Sequence, residues 1–305
     1  MEIRKEELRV RSSDNDHELF GIVYLPENEP RGIFQIVHGM IEHIGRYDRF
    51  MTFLANEGYI ACGHDHLGHG KTVKNESEYG FIAEKNGYQR LVDDVEIFGS
   101  AVREKYGRTL PYYLMGHSMG SFIARLTAEQ YDSHDKLIIM GTGGPNPAAG
   151  PGLFMIKCLK LFKGKKGYSS FIDNVAFGKY NEHYKEEGDY KSWLSSIPEE
   201  RELNKTDPLC NFRFSLSGME DLLMVNKLSN RKEWATSLNK EKPVLLVSGS
   251  EDPVGEYGEG VRKVYKMLSD AGVPVTCKIY EKSRHEILND VSGEEVRTDI
   301  LNFLQ

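Results

Sequence analysis

The chain has 305 residues and a formal net charge of −7, long enough for one α/β domain with an insertion, or two modest domains, around a sizeable core. Its acidity gives no global attraction to a phosphate backbone, which argues against nucleic-acid partners. The opening MEIRKEELRVRSS carries charges but no apolar stretch, and no run of apolar residues is long enough to span a bilayer, so neither secretion nor membrane spanning is expected and the protein is read as cytoplasmic.

In chain order, ELFGIVYLP reads as a strand and GIFQIVHG as a buried one, short and closed by a glycine turn. YDRFMTFLANEGY has helical apolar spacing with Gly58 at its end, and IACGHDHLGHG returns to a strand that breaks into glycines. A long amphipathic helix through YQRLVDDVEIFGSAVREKYG precedes strand PYYLMGHS, helix MGSFIARLTAEQY and strand KLIIMGTGG. The rhythm stops at GPNPAAGPG, and the segments from Pro145 to Arg231 are helical and rich in Tyr, Lys and Glu. It resumes with KPVLLVSGSEDP, helix GEGVRKVYKMLSDAG, strand VTCKIYEKSRHE and helix GEEVRTDILNFLQ. Strand and helix in alternation imply a mostly parallel sheet covered on both faces. The expected organisation is an α/β core from 1–144 and 232–305, interrupted by a helical insertion at 145–231. Cys62, Cys158, Cys210 and Cys277 lie far apart without metal-ligand spacing, which fits reduced thiols.

The chemistry concentrates at strand ends, where a parallel sheet forms its ligand crevice. GHSMG places Ser118 between a strand and a helix, with Gly116 and Gly120 removing the side chains that would collide in so sharp a turn. This G-x-S-x-G elbow exposes the hydroxyl beside a helix N-terminus and the following backbone N–H. A serine needs a base and an orienting acid. Of ten histidines, only His285 follows the strand-end acid Asp252, and both sit on loops after expected strands; Glu251 is the rival acid. Gly39, after the strand ending at Val37, lets the Met40 N–H face the site opposite the Met119 N–H, which makes these two backbone groups the expected oxyanion donors.

Other motifs explain less. The end of HDHLGHGKT has Asp65 where a P-loop needs glycine, and His64, His66 and His69 lack the further ligands of a zinc centre, so Asp65 and the glycines are read as shaping a tight turn. GTGG at 141–144 is not followed by a helix start, and neither a cofactor nor a metal is expected. In GLFMIKCLKLFKGKK, Phe154, Met155, Cys158, Leu159, Leu161 and Phe162 form a broad apolar face with Lys157, Lys160 and Lys163 on the other side. That face either roofs an acyl pocket or meets a membrane surface transiently.

HGMIEHIGRY, DHLGHGKT, GHSMGS, GSEDPVG and SRHEIL together resemble the successive landmarks of α/β-hydrolases of the monoacylglycerol lipase and lysophospholipase type, grouped with serine aminopeptidase-like proteins. The resemblance implies Ser118 as nucleophile, Asp252 and His285 as its partners, Met40 and Met119 as oxyanion donors, and a cap over the pocket from Pro145 to about Arg231. It also implies that Glu42 and Arg46 lie near the polar head of the substrate. The expected activity is hydrolysis of a small-molecule ester with an apolar acyl group through an acyl-enzyme. Amide or peptide hydrolysis by the same residues, and a non-enzymatic receptor on the same fold, are the competing readings.

Overall fold

GIFQIV, YIACGH, YYLMGH and VLLVSG are buried along their whole length, as strands covered on both faces must be. The computed structural model describes residues 3–305. Its strands are β1 (Arg4–Arg11), β2 (Glu18–Leu25), β3 (Gly32–Val37), β4 (Tyr59–His64), β5 (Tyr112–His117), β6 (Lys136–Met140), β7 (Val244–Gly249) and β8 (Val275–Tyr280). They form one sheet in the order β1-β2-β4-β3-β5-β6-β7-β8. From β4 to β8 all neighbours are parallel, while β2 runs antiparallel to both β4 and β1.

Strand β1 departs from the reading of the sequence, which assigned no element there. RKEELRVR is almost fully charged, and its only apolar side chains, Leu8 and Val10, turn inward on the face they share with Glu6. An edge strand needs no more, and its charges keep the open edge from pairing with another chain.

The helices are α1 (Asp48–Asn56), α2 (Gly87–Tyr106), α3 (Met119–Tyr131), α4 (Ala149–Lys163), α5 (Ser170–Phe177), α6 (Pro198–Thr206), α7 (Leu216–Ser229), α8 (Lys232–Ser237), α9 (Glu259–Asp270) and α10 (Gly293–Leu304). Alternating side chains of the strands divide the core in two. Phe34, Ile36, Met115 and Val247 pack with Phe50, Leu54 and Ile300 of α1 and α10. Val37, Leu114, Ile139 and Leu246 pack with Val92, Ile123 and Val264 of α2, α3 and α9. Gln35 is buried among these, and both ends of its amide are used: Nε2 donates to the Val95 carbonyl at 2.9 Å and Oε1 accepts from the Tyr112 hydroxyl at 2.7 Å.

Between β6 and β7 every regular element is a helix, among the described residues. α7 packs on α2, α3 and α4. Arg125 of α3 holds its far end: the buried guanidinium lies 4.0 Å from the Trp234 ring and donates to the Ser229 carbonyl and to Asn230 Oδ1. Burial lowers its pKa to about 9, so it remains a cation at neutral pH. An indole face and a helix C-terminus are the partners that such a charge needs.

The core on the α2 side is testable at Phe98, which is fully buried and lies 5.0 Å from the His64 ring. Phe98→Ala should cost about 3–5 kcal/mol, read as a lower midpoint in urea unfolding.

Candidate active site

A cavity of about 720 Å³ opens over the carboxyl ends of β3, β5 and β7, and Ser118, His285, Met40 and Met119 all line it. Ser118 has φ 54° and ψ −122°, an unfavourable backbone for a side-chain-bearing residue. Close packing enforces it. A Cβ at Gly116 would meet the Gly120 carbonyl oxygen at 2.2 Å, and one at Gly120 would meet that of Val37 at 2.1 Å. The turn thus sits directly on the end of β3 and points the hydroxyl into the cavity.

His285 Nδ1 lies 3.0 Å from both carboxylate oxygens of Asp252. Asp252 is fully buried, and its Oδ1 also accepts the Val254 N–H at 2.8 Å. These contacts turn the Nδ1 proton toward the carboxylate and leave Nε2 as the nitrogen that can face a ligand. Glu251, the rival acid, points elsewhere, its carboxylate 3.6 Å from Arg284. No hydrogen bond joins the Ser118 hydroxyl to a described residue, nor do the Met40 and Met119 N–H groups donate to one. The hydroxyl and both N–H groups remain available to a ligand. Such an arrangement can deliver a nucleophile, a base and two oxyanion donors to one carbonyl carbon.

Glu42 and Arg46 occupy different positions. Glu42 lines the cavity, and its Oε1 accepts from the Gly39 N–H, from the Tyr47 hydroxyl at 2.9 Å and from His117 Nδ1 at 3.3 Å. Arg46 stands behind that wall, in a small second cavity, with Nε 3.7 Å from Glu42 and a terminal nitrogen 2.5 Å from Glu286. It acts on the cavity through those two carboxylates.

His117, Tyr47, Glu286 and Trp193 were not singled out in the sequence. His117 fills a variable position of the G-x-S-x-G pattern, and only its adjacency to Ser118 distinguishes it. Its Nδ1 faces Tyr47 Oη at 3.0 Å and Glu42, while Nε2 faces the His285 carbonyl at 3.2 Å. All three are acceptors toward the ring, so both nitrogens carry protons. Burial lowers the His117 pKa, but the Glu42 carboxylate more than offsets this and the net shift is upward. Burial likewise pushes Glu42 up, yet His117, Arg46 and the Gly39 N–H hold its carboxyl down at about 2. A buried ion pair therefore supports the backbone of His285.

The cavity has two kinds of wall. Ile156, Ile172, Ala176, Met219, Leu222 and Leu223 form an apolar side under α4, α5 and α7, whereas Glu42, Lys191, Asn204, Asn211 and Glu286 form a polar one. Helix α4 corrects the sequence reading. Leu153 and Ile156 face inward, while Phe154, Met155, Leu161 and Phe162 are exposed and Lys160 pairs with Glu220 of α7. Apolar residues run almost around this helix, so its periodicity could not select the inner face.

A family model described as Serine aminopeptidase, S33 (Hydrolase_4) matches residues 28–292. The chain belongs to this α/β-hydrolase family. It is similar to the monoglyceride lipase of Rattus norvegicus, 27% identical over 93% of this chain and 84% of that one. The monoacylglycerol lipase of Mycolicibacterium smegmatis is 23% identical over 97% and 98%. Among solved structures, a highly thermostable carboxyl esterase from Bacillus coagulans, in complex with glycerol, superposes with a TM-score of 0.92, 32% identity and coverage of 98% and 97%.

In this S33 hydrolase the loop carrying Met40 is held by neutral imidazoles. His69 Nε2 accepts the Ile41 N–H at 3.3 Å, His38 Nε2 accepts the His66 N–H at 3.0 Å, and His66 Nε2 donates to the His38 carbonyl at 3.1 Å. His64 packs against His66 at 5.2 Å, with neither nitrogen bonded to a described residue. Asp65 completes the turn, accepting the N–H groups of Ile44 and Lys71 at 2.8 and 2.7 Å.

Burial lowers the pKa of His64 to about 3 and of His69 to about 4, and it lowers His38 and His66 well below the ordinary value. The unfolded chain binds protons at these sites below about pH 6.5 while the folded one does not, so stability falls as pH drops from about 6.5 toward 4. Each histidine contributes a slope of up to about 1.4 kcal/mol per pH unit. His117, with its raised pKa, contributes in the opposite sense, stabilising below about pH 6.5 and losing that contribution at higher pH. Burial also lowers the pKa of His134 to about 4, a fifth site in the same sense, while it raises that of Asp65, of Asp94 to about 6 and of Asp221 to about 7, and these three acids oppose the histidines over that range. Five sites outweigh four. The Tm should drop between pH 6.5 and 4.5, and His64→Leu should flatten the slope; equal slopes in the two proteins would refute the assignment.

Proposed function

We propose that the protein is a serine hydrolase cleaving carboxylic esters of apolar acyl groups, monoacylglycerol- or lysophospholipid-like, through an acyl-enzyme. The observation that carries this reading is the His285 ring on the Asp252 carboxylate, in one cavity with the strained Ser118 and an apolar wall. The names of its relatives, monoglyceride lipases and a carboxyl esterase, agree with it.

In the proposed reaction, His285 Nε2 takes the Ser118 proton as Oγ attacks the ester carbonyl, and the Met40 and Met119 N–H groups receive the oxyanion. The imidazolium then protonates the leaving alcohol, and the same ring activates the water that releases the acid. The segment 145–231 serves as a cap whose apolar side takes the acyl chain. The polar side, with Glu42 on its surface and Arg46 behind it, takes the alcohol.

We also propose transient contact of the cap with lipid. Leu161 and Phe162 are 83% and 87% exposed on α4, Phe171 is 59% exposed on α5, and exposed Lys157 and Lys163 lie beside them. Apolar side chains flanked by cations suit an anionic bilayer surface.

A fluorophosphonate probe should label the protein but not Ser118→Ala, and Asp252→Asn should lower kcat by about 10³–10⁴-fold. A panel of aryl esters, monoacylglycerols, lysophospholipids and aminoacyl amides separates the readings. Turnover of the amides alone would replace the esterase reading with the aminopeptidase one that the family description favours. Leu161→Asp/Phe162→Asp should weaken co-flotation with anionic vesicles at least about tenfold, with turnover of a soluble aryl ester unchanged.

A further inference from the structure

Three contacts join the chain between α5 and α6 to His285 and its neighbour Glu286. The His285 N–H faces the Trp193 carbonyl at 3.4 Å, and the Glu286 N–H donates to the Leu194 carbonyl at 2.7 Å. The third contact is aromatic: the Trp193 indole lies over the His285 ring, centroids 5.2 Å apart and planes inclined by 38°. Tyr180 backs the indole at 5.1 Å, and Asn181 Oδ1 accepts the Trp193 backbone N–H at 3.1 Å, so the ring and the main chain that carries it are both held. The face of an indole is electron-rich and is the strongest aromatic partner for a cation. It favours imidazolium over imidazole.

We propose that Trp193 is a positioning residue that stabilises His285 as an imidazolium while the ring holds the proton of Ser118. The inference rests on the acyl-transfer reading above. In that step the Oγ–carbon bond forms, the carbonyl π pair moves onto oxygen, and the hydroxyl proton passes to Nε2, leaving one positive charge on the ring. The proton later departs on the alcohol as the ester C–O bond breaks. A group that binds only the charged ring lowers the barrier without tightening substrate binding.

The other groups around the ring are accounted for. Asp252 lies on Nδ1 and favours the charge. His117, doubly protonated and 4.7 Å away, opposes it, with Glu42 behind it. Glu286 follows in the chain and is paired with Arg46. The Tyr180 phenol, its pKa pushed up to about 12 by burial, stays neutral. Only Trp193 and Tyr180 come from the helical insertion, so the charge on the base depends in part on that insertion being seated.

The test is the pH profile of kcat/KM for a soluble aryl ester in the wild type, Trp193→Phe and Trp193→Leu. Trp193→Leu should lose about 3- to 30-fold, in kcat rather than KM, with its acid limb moved to lower pH by about half a unit to one unit; Trp193→Phe should fall between. An acid limb that stays in place, or moves to higher pH, overturns the proposal.

Fluorescence gives a second readout that needs no turnover. The chain has two tryptophans. Wild-type emission should titrate with the midpoint of the acid limb, and the transition should vanish in His285→Ala and in Trp193→Phe. A wild-type emission flat across that range also overturns the proposal. Titrating emission in a protein that turns over no ester would support the indole–imidazolium contact while removing the acyl-transfer reading.

Discussion

The turn at Ser118 is the constraint from which the site follows. Its positive φ persists because the start of α3 packs so closely on the carboxyl ends of β5 and β3 that a side chain at Gly116 or Gly120 would have no space. The same closeness starts α3 at Met119 with its first N–H unused, and brings the Gly39–Met40 turn to the opposite side of the hydroxyl. The proposed nucleophile and oxyanion donors are thus consequences of one packing contact. Strain of this kind costs about 1–3 kcal/mol, which the surrounding sheet, buried on both faces, readily sustains.

Charge is handled in an ordered way beneath the cavity. Glu42, His117, Arg46 and Glu286 are all buried or nearly so, and each finds an opposite charge or a full set of hydrogen bonds. Removing one member would leave its partner desolvated and unpaired, which is far costlier than the pair is stabilising. The arrangement therefore favours one geometry over alternatives. It places His117, whose charged form Glu42 favours, beside the ring that must itself become a cation in the proposed reaction, and the proposed contributions of Asp252 and Trp193 oppose its effect.

Much of this was legible in the sequence, for identifiable reasons. Parallel strands buried on both faces produce unbroken apolar runs, and glycine turns end them, so β3, β5, β6 and β7 are readable with their strand-end residues. Asp252 could be preferred to Glu251 from its distance past Gly249. β1 was not readable, because a charged edge strand with two inward apolar side chains leaves almost no pattern. The inner face of α4 was hidden by apolar residues around its circumference. Arg46 gave no sign that Glu286, 240 residues later, would hold it away from the main cavity. Trp193 lies in a segment without periodicity, and its place over His285 is set by a long-range backbone pairing.

In the helical insertion, α4 is apolar on two faces with different surroundings. Leu153 and Ile156 must be apolar to pack toward the cavity and α7. Phe154, Leu161 and Phe162 face outward, where their exposure gains nothing in water and a solubility argument alone would have made them polar. A surface of this kind persists when something apolar covers it for part of the time. In the proposed reaction that covering is the lipid from which the substrate comes. Entry of the acyl chain, seating of the helices and the indole contact on His285 would then be successive effects of one surface being buried.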